Sequence, residues 1–159
     1  MSSMKKIAEL IKDVKFAMLT TITDEGHLHA CPMTTQDVEF NGEIWFIGSN
    51  TTETASDMQK RPQVNLAYSK PSDSAYVSIN GTAELVNDPA KLDELWSDMY
   101  NAYFEGGKTD PRVQLIKINA HGAEYWDGPN KLVALYEMTK AALTSETADM
   151  GDNGTVRIA

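Results

Sequence analysis

Six β-rich segments, separated by turn signals, constrain this chain more than any other feature. They are FAMLTTIT (16–23), HLHACPMT (27–34), EIWFIG (43–48), QVNLAYS (63–69), AYVSINGTAELVND (75–88) and VQLIKINAHGAEYWD (113–127). The regular alternation with helices that a parallel sheet needs is missing, so the pattern argues for a small antiparallel barrel. Asp24-Glu25-Gly26 supplies the turn between the first two segments. Pro32 places the second strand at an edge or a bulge, because proline has no N–H to give to the ladder. Asn41-Gly42 predicts a hairpin between Val38-Glu39-Phe40 and the 43–48 segment. Gly81 marks a bulge in the fifth segment, and the sixth reads as a strand pair or one long bent strand.

Helical patterns flank and interrupt these strands. Met4, Ile7, Leu10, Ile11 and Val14 recur at helical spacing and predict an amphipathic helix over 4–14. Residues 54–61 predict a short helix ending before Pro62. Asp88 followed by Pro89 is an N-cap with proline in the first turn, opening a helix over 89–104 whose Leu92, Trp96, Met99 and Tyr103 share the core face. Residues 131–143 are ambiguous by period. The whole is read as one domain over 1–143 and a polar, mostly loose C-terminal tail over 144–159.

Composition narrows the function classes. A chain of 159 residues fits one domain, and 42% hydrophobic residues suffice for a core. The net charge of −9 argues against nucleic acid and anionic membrane, both of which need a basic footprint. A single cysteine, Cys31, excludes an internal disulfide and fits a reducing compartment. Glu9, Lys12, Asp13 and Lys15 interrupt the apolar N-terminal run, so it does not read as a signal peptide, and no apolar run is long enough for a membrane helix. The expectation is a cytoplasmic protein.

Motifs for common chemistries are absent: there is no GxGxxG, no GxxxxGK[ST], no GxSxG and no HExxH. His27 and His29 share a strand face without a third ligand, so a hairpin mouth facing water is the simpler reading than a metal site. His121 reads as a turn residue, and Cys31 as a small core residue. Trp126, at a strand end before Asp127-Gly128-Pro129, is placed to stack on a partner subunit or a planar cofactor. GSNTTETASDMQKRP (48–62) gathers hydroxyls at a strand-to-helix turn. Thr52, Thr54 or Ser56 can cap that helix, with Asp57 closing a capping box on Thr54. The same N-terminus, with unpaired N–H groups, suits a phosphate. On these residues alone the cap is favoured.

Segments 17–33, 42–69, 76–88 and 94–127, in that order, resemble the pyridoxamine 5'-phosphate oxidase-like flavin-binding split barrels, and within them the general stress protein 26 branch. The most specific pieces are Ser78-x-x-Gly81-x-Ala83-Glu84, the run Trp96…Gly107…Asp110-Pro111, and Ala123-Glu124-Tyr125-Trp126-Asp127. The resemblance implies a six-stranded antiparallel split β-barrel with flanking helices, mainly β with α, forming a homodimer with FMN at the subunit interface. FAD or a deazaflavin is an alternative cofactor. It implies a flavin ring along Ala30–Thr34, with Cys31, Pro32, Met33 and Thr34 at the cofactor. Trp45, Phe46, Gly48 and the following turn would flank the ribityl phosphate. Ser78 or Asn80 approaches from the long strand, and Trp126 lies against the cofactor from one subunit or the other.

Two departures qualify what the resemblance carries over. The family's T-x-x-x-S-x-K pattern reads Gly48, Thr52 and Thr54 here, so the hydroxyl at Thr52 is kept and the lysine charge is lost. Lys60, Arg61 or the other subunit are the candidate replacements. The C-terminus offers only Arg157 as a basic group, which argues against oxidation of a vitamin B6 phosphate. The readings left are a flavin-dependent oxidoreductase of unknown substrate, a non-catalytic flavin-binding stress protein, and a dimeric scaffold with a decayed site.

Overall fold

The structure is a computed structural model describing residues 3–129 and 131–158. Among these residues the order is α1 (Ser3–Ile11), β1 (Phe16–Ile22), β2 (Leu28–Thr34), β3 (Glu43–Ser49), α2 (Glu53–Lys60), β4 (Gln63–Lys70), β5 (Ala75–Val86), α3 (Pro89–Leu95), β6 (Val113–Asp127), α4 (Lys131–Leu143) and β7 (Asp152–Arg157). The strands form one sheet in the order β2-β1-β4-β5-β6-β3, with β7 added on β6. Every pairing is antiparallel. The sheet curls on itself as a split barrel with helices on its flanks, the architecture expected from the strand spacing and the resemblance.

Alternation along the strands sorts the side chains into two sets. Ala17 and Leu19 of β1, Phe46 of β3, Leu66 and Tyr68 of β4, and Val77 and Ile79 of β5 fill the barrel interior. Ile7 of α1 and Met58 of α2 are buried against the same core. Outside the barrel wall, Ile47 and Leu115 carry a second cluster with Leu95, Tyr100 and Phe104. Period-2 patterning thus buries both faces of the β3–β6 pair and only the inner face of β1 and β4, while the edge strand β2 buries no residue.

The bulge expected at Gly81 is present, as a register shift between Asn80 and Gly81 where β5 crosses β6. A Cβ on Gly81 would lie 2.5 Å from the carbonyl oxygen of Asn119, so the two backbones meet at a distance only glycine permits. The sixth segment is one strand of 15 residues, long enough to serve β5, β3 and β7.

Four readings are corrected. Asn41-Gly42 does turn the chain, with Gly42 at φ +102 and the Asn41 side-chain carbonyl accepting the Glu43 N–H at 3.1 Å. However, Val38–Phe40 is not a strand, and the partner of β3 is β6, seventy residues on. The helix opened by Asp88, whose carboxylate accepts the Lys91 N–H, stops at Leu95 instead of running to 104. Trp96 and Ser97 turn extended, which brings the Trp96 ring to 5.3 Å from Tyr100 and leaves Met99 and Tyr103 exposed rather than on a core stripe. The amphipathic N-terminal helix ends at Ile11, not at residue 14. Finally, 152–157 is not loose. It pairs as β7 with β6, burying Val156, and Tyr125 donates its hydroxyl to Asp152 at 3.1 Å. The ambiguous 131–143 segment is α4, with no buried residue.

Two measurements follow from this packing. Gly81→Ala forces the β5–β6 crossing apart and costs at least about 1–3 kcal/mol in chemical denaturation. The Thr21 hydroxyl is buried without a hydrogen-bond partner among the described residues. Thr21→Val removes that orphan at nearly constant shape, so it raises stability by about 1 kcal/mol in the same assay.

Candidate functional site

The site grows from the β3–α2 turn. Ser49 ends β3, and the chain turns through Asn50 and Thr51 into α2. Thr52 is the N-cap: its Oγ1 accepts the Ala55 N–H at 3.1 Å and donates to the Ser49 carbonyl at 3.2 Å. The Ser49 and Thr51 hydroxyls bond to each other at 2.8 Å. The Thr54 Oγ1 faces the Cys31 Sγ at 3.9 Å, a contact long enough to leave the hydroxyl free for another acceptor. Next to them, a Cβ on Gly48 would meet the tips of Ile116 at 3.2 Å and Met33 at 3.7 Å. Cys31, Met33, Gly48, Thr52 and Thr54 therefore converge where the β2 edge approaches the end of β3.

The electrostatics of this seat are one-sided. The first-turn N–H groups of Glu53 and Thr54 point out of the helix start and give it a partial positive charge. No cation joins them from the same helix. Lys60 bonds the Asp24 carboxylate at 3.2 Å, and Arg61 bonds Asp24 at 2.7 Å, Asp57 at 3.2 Å and the Ile22 carbonyl at 2.9 Å. Arg61 and Lys60 hold the Asp24 carboxyl below its ordinary pKa by these hydrogen bonds. Lys60 also stands seven residues beyond Glu53, roughly 10 Å along the helix axis. These two side chains latch the β1–β2 turn to the far end of α2 and do not replace the missing lysine. Asp57 belongs to that latch as well, not to a capping box with Thr54.

The outer face of the sheet is the second part of the site. Register aligns Pro32, Met18, Ala67, Ser78, Glu124 and Thr155 in one row across six strands. A neighbouring row carries Tyr76, Trp126 and Asn153. Phe16, Met18, Tyr76 and Trp126 are all large, apolar and exposed there, with Phe16 at 57%. Isolated exposed apolar residues are ordinary, whereas a continuous set on one sheet face marks an interaction surface.

The family model for pyridoxamine 5'-phosphate oxidase-like proteins matches residues 2–149. The chain belongs to this family. A solved structure from Jannaschia sp. CCS1, provisionally assigned as general stress protein 26, is 33% identical, covers 96% of both chains and superposes with a TM-score of 0.79. A general stress FMN/FAD binding protein from Xanthomonas citri is 31% identical over 78% of this chain and 87% of its own, with a TM-score of 0.68. The curated protein bli-3 of Neurospora crassa is 23% identical over 145 residues, 84% of this chain and 69% of bli-3.

Within this pyridoxamine 5'-phosphate oxidase-like chain, the residues singled out from sequence fall into three places. Cys31, Met33, Gly48, Thr52 and Thr54 share the seat. Pro32, Ser78 and Trp126 lie on the outer face, with Ser78 held by a hydrogen bond from Asn65 at 2.9 Å. Asn80 and Thr34 belong to adjoining rows of that face. Trp126 stands four strands from β2, roughly 20 Å along the sheet of its own protomer. Trp45 and Phe46 are in neither place. Phe46 is fully buried in the barrel core, and Trp45 packs on the far side of β3 beneath the ammonium groups of Lys91 and Lys117, at 5.1 and 5.7 Å.

The sequence reading missed Phe16, Met18 and Tyr76, whose signal was available: large apolar residues on the solvent phase of an alternating strand. Among the described residues no cluster of histidine, cysteine and carboxylate groups can hold a metal, and no helix is long and apolar enough to cross a membrane. Thr52→Ala removes the side-chain cap and destabilises the protein by about 1 kcal/mol, read as a lower midpoint in urea.

Proposed function

We propose that this chain is a flavin-binding protein of the general stress protein 26 type, acting as a homodimer that holds FMN between protomers for redox chemistry. The observation that carries the reading is the seat of hydroxyls and helix N–H groups at the edge strand β2, whose other face continues an exposed apolar row. The donors suit the oxygens of a phosphate. The exposed Phe16, Met18, Tyr76 and Trp126 suit burial against a second copy and a flat ring system. Trp126 lies twelve residues along β6 from Gln114, the residue paired with Gly48 at the seat, so a two-fold partner is the natural source of the aromatic wall.

Bound FMN supplies hydride and one-electron chemistry. The chain's own contribution is position and polarity. Thr54 donates to the phosphate, Cys31 and Met33 line the approach, and the sheet face excludes water once a partner covers it. The pairing of Lys60 and Arg61 with Asp24 favours a second reading as well: a site that takes FMN loosely, or a cofactor whose phosphate matters less.

The absorbance spectrum of the purified protein, followed by FMN titration, tests the reading. Saturable quenching of flavin fluorescence at micromolar affinity or tighter is expected, with a dimer in sedimentation. Thr54→Lys restores the missing charge and tightens FMN about 10- to 100-fold. No quenching up to about millimolar FMN would remove flavin binding and leave a dimeric scaffold.

A further inference from the structure

A second cavity lies away from α2. It has a volume of about 850 Å³ and is bounded by the C-terminal half of α1, the 35–40 segment and the start of β3. That size matches pockets that take drug-sized molecules. Its walls include Ala8, Ile11, Val14, Phe40 and Ile44. They are tied in place: Thr35 donates its hydroxyl to the Val14 carbonyl at 2.6 Å, and Gln36 donates to the Tyr100 hydroxyl at 2.6 Å.

Tyr68 of β4 also lines the cavity. It is 4% exposed, and its hydroxyl has no hydrogen-bond partner among the described residues. Burial pushes that phenol above its ordinary pKa, so it stays protonated and able to donate. A hydroxyl that opens onto an apolar-walled cavity without a protein partner is a donor that a ligand acceptor can take up. The rim sets the charge of that ligand. Among the described residues five carboxylate side chains and three lysines line the cavity, on a chain of net charge −9, so an anion is disfavoured.

We propose that this cavity is a second binding site, separate from the flavin seat, for a non-anionic, largely apolar molecule with an oxygen that accepts the Tyr68 hydroxyl. No residue of α2 lines it, and it does not depend on the flavin reading.

Nile red, a neutral aromatic dye with a ring carbonyl, is the probe, and the anionic dye anilinonaphthalene sulfonate is its comparator. The wild-type protein, with and without saturating FMN, is expected to bind Nile red saturably at one site per chain and more tightly than the anionic dye. Tyr68→Phe keeps the ring and removes the hydroxyl, so it weakens Nile red about fivefold with an unchanged melting temperature. Ala8→Trp places an indole at the wall and weakens it at least tenfold. Val38→Trp, at a 51% exposed rim position, lowers affinity in the same direction. Absence of saturable binding, or equal affinity in wild type, Tyr68→Phe and Val38→Trp, overturns the proposal. Equal affinity would place the dye on the exposed sheet face.

Discussion

The crossing of β5 and β6 at Gly81 is the constraint on which the rest of this structure depends. With Asn119's carbonyl so close, a side chain has no room there, and the register slips by one residue. The slip bends a long strand pair that would otherwise make a flat sheet. Beyond the bend β6 stays paired with β5 and takes β3 on its other edge for seven residues. That carries the end of β3 back toward β2, until Met33 and Gly48 come within contact distance. The pairing that closes the barrel therefore also brings the seat residues together.

Closure also explains why the seat is poor in charge. The β1–β2 turn has to be held against α2 for the β2 edge to stay near β3. Asp24, Asp57, Lys60 and Arg61 do this with a network of charge-assisted bonds. The two cations nearest in sequence to the phosphate-like turn are consumed in that latch. The helix start keeps its N–H groups and the free hydroxyl of Thr54, which bind anions by dipole and hydrogen bond without a full countercharge.

Much of this was legible along the chain. The strand at 16–22, the edge position of Pro32, the bulge at Gly81 and the cap at Asp88 are local preferences, and each is found where its residue predicts. The family was legible from short ordered motifs. The failures were of one kind. Asn41-Gly42 signalled a turn, yet no local signal names the strand that pairs after it. Trp96 fitted a helical stripe, yet packing with Tyr100 and Phe104 outweighed helix propensity. Residues 152–157 are polar enough to read as loose, and only the open edge of β6 recruits them.

The sequence by itself determined the antiparallel barrel, the capped helix start, the glycine crossing and the family, because turn, cap and alternation are set by neighbours within a few residues. Only the tertiary structure decided which side chains share a site. It placed Trp126 at the end of β6 away from the seat, tied Arg61 to Asp24, and left the Tyr68 hydroxyl facing a cavity. Those outcomes depend on register and closure between segments tens of residues apart, and no local pattern encodes them.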